Sequence, residues 1–310
     1  MNVLKRIVKA IYNKANGYIK KGQWYNEVKF PNCKKFWDYN TFNTDIVNLG
    51  STSGLYAFNY EGLPIKGSNW ALSQNPLSGD LAILKNYESY LNPKKSTCII
   101  SLCVFSSLSG SYIPQEDRYY TLLYPSSIPH FSYRKQQEVK SIRNNPLLHY
   151  PLISLFSDLK YAIRSKKTTI MTDSELVKDA KKWISGWLKE FSLSDLSAPL
   201  SLINKDGLED AARILNEMIT FCKERNIIPI IVLPPMYYTL NEEFSYEARH
   251  TLIDSLIEKV EDKSVPFYNY MDDEMFNNDR TLFRNSFFLN ERGAKLFTKR
   301  LLSDLKYKEQ

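Results

Sequence analysis

The five residues Gly50-Ser51-Thr52-Ser53-Gly54 are the stretch of this chain best suited to chemistry. Three hydroxyls between two glycines follow the apolar run Ile46, Val47 and Leu49, which reads as a short buried strand. They precede Leu55 and Phe58 at a spacing that suggests a helix. In α/β enzymes, a strand that passes into a helix through small residues exposes a nucleophile or aims backbone N–H groups at an anion. The same residues also suit an ordinary strand-to-helix loop in which a hydroxyl caps the helix. Local sequence leaves both readings open.

A hydroxyl nucleophile needs an activating base, and imidazole is available only at His130, His149 and His250. His130 and His149 fall in a proline-broken region that could approach the turn, whereas His250 sits in a charged helical stretch. Asp272 and Asp273 follow the last expected strand and suit loop caps as well as chemistry. Cys33, Cys98, Cys103 and Cys222 form no CxxC pair and no zinc-type spacing with histidine, so they read as reduced thiols. No cofactor or metal motif is present. The turn also lacks the lysine and glycine spacing of a phosphate-binding loop and the GxGxxG of a dinucleotide fold.

Asn48-Leu-Gly-Ser-Thr-Ser-Gly54 resembles the first block of SGNH/GDSL-type hydrolases, in the form seen in members encoded with surface-polysaccharide genes. The resemblance extends to Gly79–Tyr90, Ile230–Pro235 and the end segment Leu282–Phe297, which holds the frame Leu289-Asn290-x-x-Gly293-Ala294. It implies a doubly wound α/β fold and O-acyl transfer or ester hydrolysis on a cell-surface glycan, with an acylated carbohydrate as partner. Carried onto this chain, the nucleophile and oxyanion turn correspond to Ser51, Thr52 and Ser53, with Thr52 in the nucleophile position. The positions of the family's acid and base hold Asn285 and Phe288. An amide cannot hold an imidazole as a carboxylate does, and a phenyl ring cannot accept a proton. Ser106-Ser107-Leu108 stands where a Gly-x-Asn-Asp block would supply an oxyanion-side Asn. The resemblance therefore implies weak or absent catalysis, with His130 or His149 as substitute base; the alternative is a non-catalytic glycan-binding or scaffold member.

The elements that must position these residues alternate strand and helix. Strands are expected near 46–49, 69–72, 96–105, 227–233 and 265–270, and helices near 79–91, 175–191, 207–225, 246–260 and 290–305, with Asp206 and Asn290 as caps. This alternation predicts a doubly wound three-layer α/β sandwich with a mainly parallel sheet of about five strands. Residues 107–205, broken by six prolines, read as a largely helical insertion that emerges at the carboxyl edge of the sheet and roofs the site.

Composition narrows the partners. A chain of 310 residues with 43% hydrophobic content suits a single large domain of residues 22–310 preceded by a separable helix of residues 1–21. That helix is amphipathic and basic: Leu4, Ile7, Val8, Ile11, Ala15, Tyr18 and Ile19 share one stripe among lysines, which suits an anionic membrane surface or a protein face. Six basic residues precede the first acid, leaving 35 basic against 34 acidic residues in the remainder, so a nucleic-acid-binding face gains no support. The longest apolar runs fall below the roughly 20 residues a membrane span needs. No secretory signal is recognisable at the N-terminus, and a cytoplasmic location, peripheral to the membrane, is the expectation.

Overall fold

A computed structural model describes residues 3–108, 117–128, 130–163 and 170–307. The elements used below are α1 (Val3–Ile19), β1 (Ile46–Gly50), α2 (Thr52–Ala57), β2 (Gly67–Asn69), α3 (Leu77–Tyr87), β3 (Ser96–Ser101), α4 (Ser154–Ile163), α5 (Asp173–Glu190), α6 (Leu202–Glu224), β4 (Ile227–Leu233), β5 (Phe267–Asn269) and α7 (Glu291–Asp304). The five strands form one sheet in the order β2-β1-β3-β4-β5, and every pairing is parallel. The order reverses between β1 and β3, and such a reversal opens a crevice beyond the carboxyl ends of the two strands.

Alternation along the strands shows that both faces of the sheet are covered. Ile46, Ile99, Ile230 and Val232 share one face and pack with Phe58, Phe297 and Leu301 of the α2 and α7 side. Their neighbours point the other way: Cys98 meets Cys222 of α6, and α3 packs on α6. The central strands β1, β3 and β4 are buried almost throughout, polar residues such as Asn48, Thr97 and Ser101 included, because a parallel sheet covered on two faces leaves them no solvent-facing register.

Several elements differ from the sequence expectation. The edge strand β2 covers Gly67–Asn69, earlier than the expected 69–72, although Trp70 and Leu72 prolong its pairing with β1 by donating their N–H groups to Asn48 O and Gly50 O. Helix α6 starts at Leu202, where Ser201 Oγ accepts from Asn204 N at 3.3 Å, so the cap is Ser201 and not Asp206. A further helix, Tyr133–Asn144, is polar enough to escape the periodicity because only Val139 and Ile142 are buried in it. Asn290 caps α7 as the sequence predicts, its Oδ1 accepting from Gly293 N at 3.0 Å. The same Gly293 is sterically required, because a Cβ there would lie 2.1 Å from Leu282 O.

The chain divides into two compact units, residues 1–38 with 114–167 and residues 39–113 with 168–310. The segment expected as one insertion thus divides between them. Its second part, α5, belongs with the sheet because Asp173 and Asp179 bind Tyr237 and Ser286. The first unit contains α1 together with α4, and α1 is anchored by its C-terminal half: Asn16 and Ile19 are buried, and Asn16 Oδ1 accepts from Leu147 N at 2.9 Å. Residues 1–21 are accordingly not a free-standing segment. Formal charge divides unevenly, with 18 basic and 6 acidic residues in the first unit (+12) against 23 and 28 in the second (−5). Without its six N-terminal basic residues the first unit carries +6, and the near balance of the chain after its N-terminus is the cancellation of this by the −5 of the second. Among the described residues, no helix is long and apolar enough to cross a membrane.

Candidate functional site

Gly50 ends β1 at φ +136°, and a Cβ there would lie 2.6 Å from Ser101 O, so only glycine allows β1 to turn this close to the end of β3. Ser51 then occupies the N-cap of α2 without a side-chain capping bond. Two asparagines, the buried Asn48 and the half-buried Asn69, hold the following turn. Asn48 Nδ2 donates to Asn69 Oδ1 at 2.8 Å, and Asn69 Nδ2 donates to Leu55 O and Phe58 O at 3.1 and 3.0 Å.

The three hydroxyls have separate fates. Thr52 Oγ1 accepts the N–H of Gln74 at 2.9 Å, which ties it to the loop that follows β2. Ser53 is buried, and its Oγ has no hydrogen-bond partner among the described residues; the same holds for Ser101 Oγ and Asn48 Oδ1 nearby on the sheet. Three unpaired buried oxygens at a strand crossover are costly, each forfeiting a hydration worth about 1–3 kcal/mol. Such groups are where a polar guest would be welcome. The space beside Ser53, lined by Cys103, Pro234, Phe287 and Leu289 among others, is about 10 Å³. That is room for about one water molecule. The Cys103 thiol is raised above its ordinary value by desolvation, so it is not a ready thiolate there.

The position of the expected base lies in an aromatic wall, and that of the expected acid shapes the turn before it. Phe288 is buried, with its ring centroid 5.4 Å from Tyr56, 5.4 Å from Trp183 and 4.6 Å from Phe287. Phe287 in turn meets Trp183 and Trp187 edge-on at 5.6 and 5.0 Å. Asn285 serves the backbone: its Oδ1 accepts from the N–H groups of Phe287 and Phe288 at 3.1 and 2.7 Å and shapes the turn that presents the two rings. The turn is held from outside by Asp179 of α5, whose Oδ2 accepts from Ser286 N at 3.0 Å, Ser286 Oγ at 2.6 Å and Trp183 Nε1 at 3.1 Å. Tyr237 N, beyond the end of β4, donates to Ser286 O at 2.9 Å. Sequence reasoning missed Asp179 and Ser286; only their direct hydrogen bonds in space connect them.

The structure therefore brings Ser53, Phe287 and Phe288 to one edge of the sheet, where the nearby acid, Asp179, is bonded to Ser286 and Trp183. Among the described residues, no carboxylate or imidazole is hydrogen-bonded to Thr52 or Ser53. His130 and His149 both belong to the first unit and are exposed. His130 takes a left-handed backbone conformation at φ 52°, and His149 Nε2 is 2.9 Å from Ser141 Oγ. Asp272 is engaged by Arg249 Nη1 at 2.6 Å and Asn241 Nδ2 at 2.8 Å, contacts that hold its carboxyl below the usual range. Asp273 caps the short helix Glu274–Asn277. No group of three described His, Cys, Asp or Glu residues is placed to hold a metal ion.

What lies open at this edge is aromatic and cationic. Tyr56, Trp183 and Phe287 are each half-buried, and the exposed Arg284 lays its guanidinium carbon 4.1 Å from the centroid of the Tyr56 ring. Comparison of the chain with protein-family models, with curated proteins and with solved structures finds no match.

Proposed function

We propose that this protein is a non-catalytic, glycan-binding relative of SGNH/GDSL-type hydrolases, linked to the O-acyl modification of cell-surface polysaccharide. One observation carries the reading: the ring of Phe288 occupies the family's base position and is wedged between Tyr56 and Trp183. A general base has no place in a wall of phenyl and indole rings. Space for about one water beside Ser53 leaves its hydroxyl no room for an acyl group, and the Thr52 hydroxyl is tied to Gln74 N. The half-exposed faces of Tyr56, Trp183 and Phe287 offer apolar platforms for the C–H faces of a sugar ring, and Arg284 adds a cation for an acidic substituent.

The enzymatic reading, O-acetyl transfer or hydrolysis by Ser51, Thr52 or Ser53, keeps one supporting observation, the unpaired Ser53 Oγ. Two measurements decide between them. The intact protein should hydrolyse neither p-nitrophenyl acetate nor an O-acetylated glycan at enzymatic rates. Its tryptophan emission should change on titration with acidic polysaccharide fragments, and Trp183→Ala and Arg284→Ala should weaken that response. Turnover abolished by Ser53→Ala would sink the proposal, as would indifference of the emission to every glycan tested.

A further inference from the structure

The first unit exposes an apolar surface whose chemistry names its partner. Helix α4 has inverted burial. Asp158 is its buried residue, with Oδ1 accepting from Trp24 N and Oδ2 from Tyr150 Oη, both at 2.9 Å. Its large apolar side chains point outward: Leu152 and Ile153, just before the helix, are 84% and 83% exposed, and Phe156 and Ile163 within it are 78% and 80% exposed. A helix facing water would do the reverse, burying leucine and phenylalanine and exposing aspartate. Helix α1 repeats the pattern over its first three turns, where Ile7, Val8 and Ile11 are exposed while only the C-terminal half is packed.

Charge selects among the possible occupants. Helix α1 carries Lys5, Arg6, Lys9 and Lys14 and no acid, and the single acid of α4 is the internally bonded Asp158. The unit as a whole has a formal charge of +12. A second copy would set this charge against itself, and a nucleic acid would leave the leucine and phenylalanine side chains uncovered. A bilayer with anionic headgroups satisfies both features, its acyl boundary taking the apolar side chains and its phosphates the lysines.

We infer that the unit formed by residues 1–38 and 114–167 is a peripheral docking module for an anionic lipid bilayer, with α1 and α4 as its inserting elements. This is independent of the site on the sheet. The test is co-sedimentation of the full chain with vesicles of phosphatidylcholine alone or mixed with phosphatidylglycerol. Binding to the anionic vesicles should be at least about tenfold tighter and should weaken with salt. Ile153→Asp with Phe156→Asp, and separately Lys5→Glu with Lys9→Glu, should each reduce it about tenfold or more. As a readout that does not depend on tolerating charge, Phe156→Trp should add a blue-shifted emission component on anionic vesicles. Absence of binding to either vesicle would overturn the inference, as would binding unchanged in both double variants or an indole at 156 that stays in water. Self-association lost in the Ile153→Asp, Phe156→Asp protein, without lipid binding, would assign the surface to a second copy instead.

Discussion

Asp179 and Ser286, 107 residues apart, are joined twice, the carboxylate accepting the N–H of Ser286 at 3.0 Å and its O–H at 2.6 Å. Because Trp183 donates to the same oxygen, one acid fixes both the turn that carries Phe287 and Phe288 and the indole that covers them. Asp179→Ala should therefore loosen the wall as a unit. Loss of bonds to a charged acceptor predicts destabilisation of about 2–3 kcal/mol. Urea unfolding should show this, together with a red shift of tryptophan emission before global unfolding.

On the proposed reading, installing the side chains of a triad should not produce a working one. In the protein carrying Thr52→Ser, Asn285→Asp and Phe288→His, the imidazole replaces a ring packed against Tyr56 and Trp183, and residue 285 remains committed to the N–H groups of 287 and 288. Esterase activity with p-nitrophenyl acetate should stay at background. Phe288→Ala should cost about 3–5 kcal/mol, the usual result of emptying a buried phenylalanine site.

Backbone geometry gives a sharper test at β1. Gly50→Ala adds a Cβ 2.6 Å from Ser101 O at a φ of +136°, whereas at Gly54 the nearest atoms, Leu49 O and Ser101 Cβ, are 3.1 Å away. Gly50→Ala should cost more than about 2 kcal/mol and lower soluble yield. Gly54→Ala should cost less, and a shift in thermal midpoint as large as that of Gly50→Ala would contradict the close approach of β1 and β3.

Alkaline stability follows from raised phenols, Tyr60, Tyr237 and Tyr270 among them. Burial raises these three above the ordinary tyrosine value, with the Asp173 and Asp304 carboxylates adding to the effect at Tyr237 and Tyr270. Each is neutral in both states below the unfolded value of about 10. Above it the unfolded chain ionises first, so stability is fully present below pH of about 10 and declines as pH rises beyond. Thermal midpoints measured against pH should fall there, with phenolate absorbance appearing late and together with unfolding. Tyr270→Phe should reduce that decline.

The sheet and the final helix were legible because both rest on local signals: apolar runs of strand length, and Asn290 three residues before Gly293. The polar helix Tyr133–Asn144 was hidden because it buries only Val139 and Ile142. The edge strand β2 was shifted because three residues, Gly67–Asn69, hold too little apolar pattern to mark a register. At the site, the turn and the two substituted positions could be found in the sequence, but their contacts could not. Asp179 meets Ser286, and Phe288 meets Tyr56, across separations that no local spacing encodes. The opposite charges of the two units were equally hidden, since the running total cancels until residues 114–167 are grouped with 1–38.

The contact between the Gly293 position and Leu282 O separates two kinds of information in the Leu-Asn-x-x-Gly-Ala pattern. Asn290 and Gly293 specify how a helix starts against an upstream carbonyl, and that demand is met whether or not a proton is ever transferred nearby. On the proposed reading, the reactive half of the pattern falls at residues 285 and 288. A pattern search weighted toward the steric half will group binders with enzymes. Scoring the two halves separately would sort such chains by reactivity before any assay.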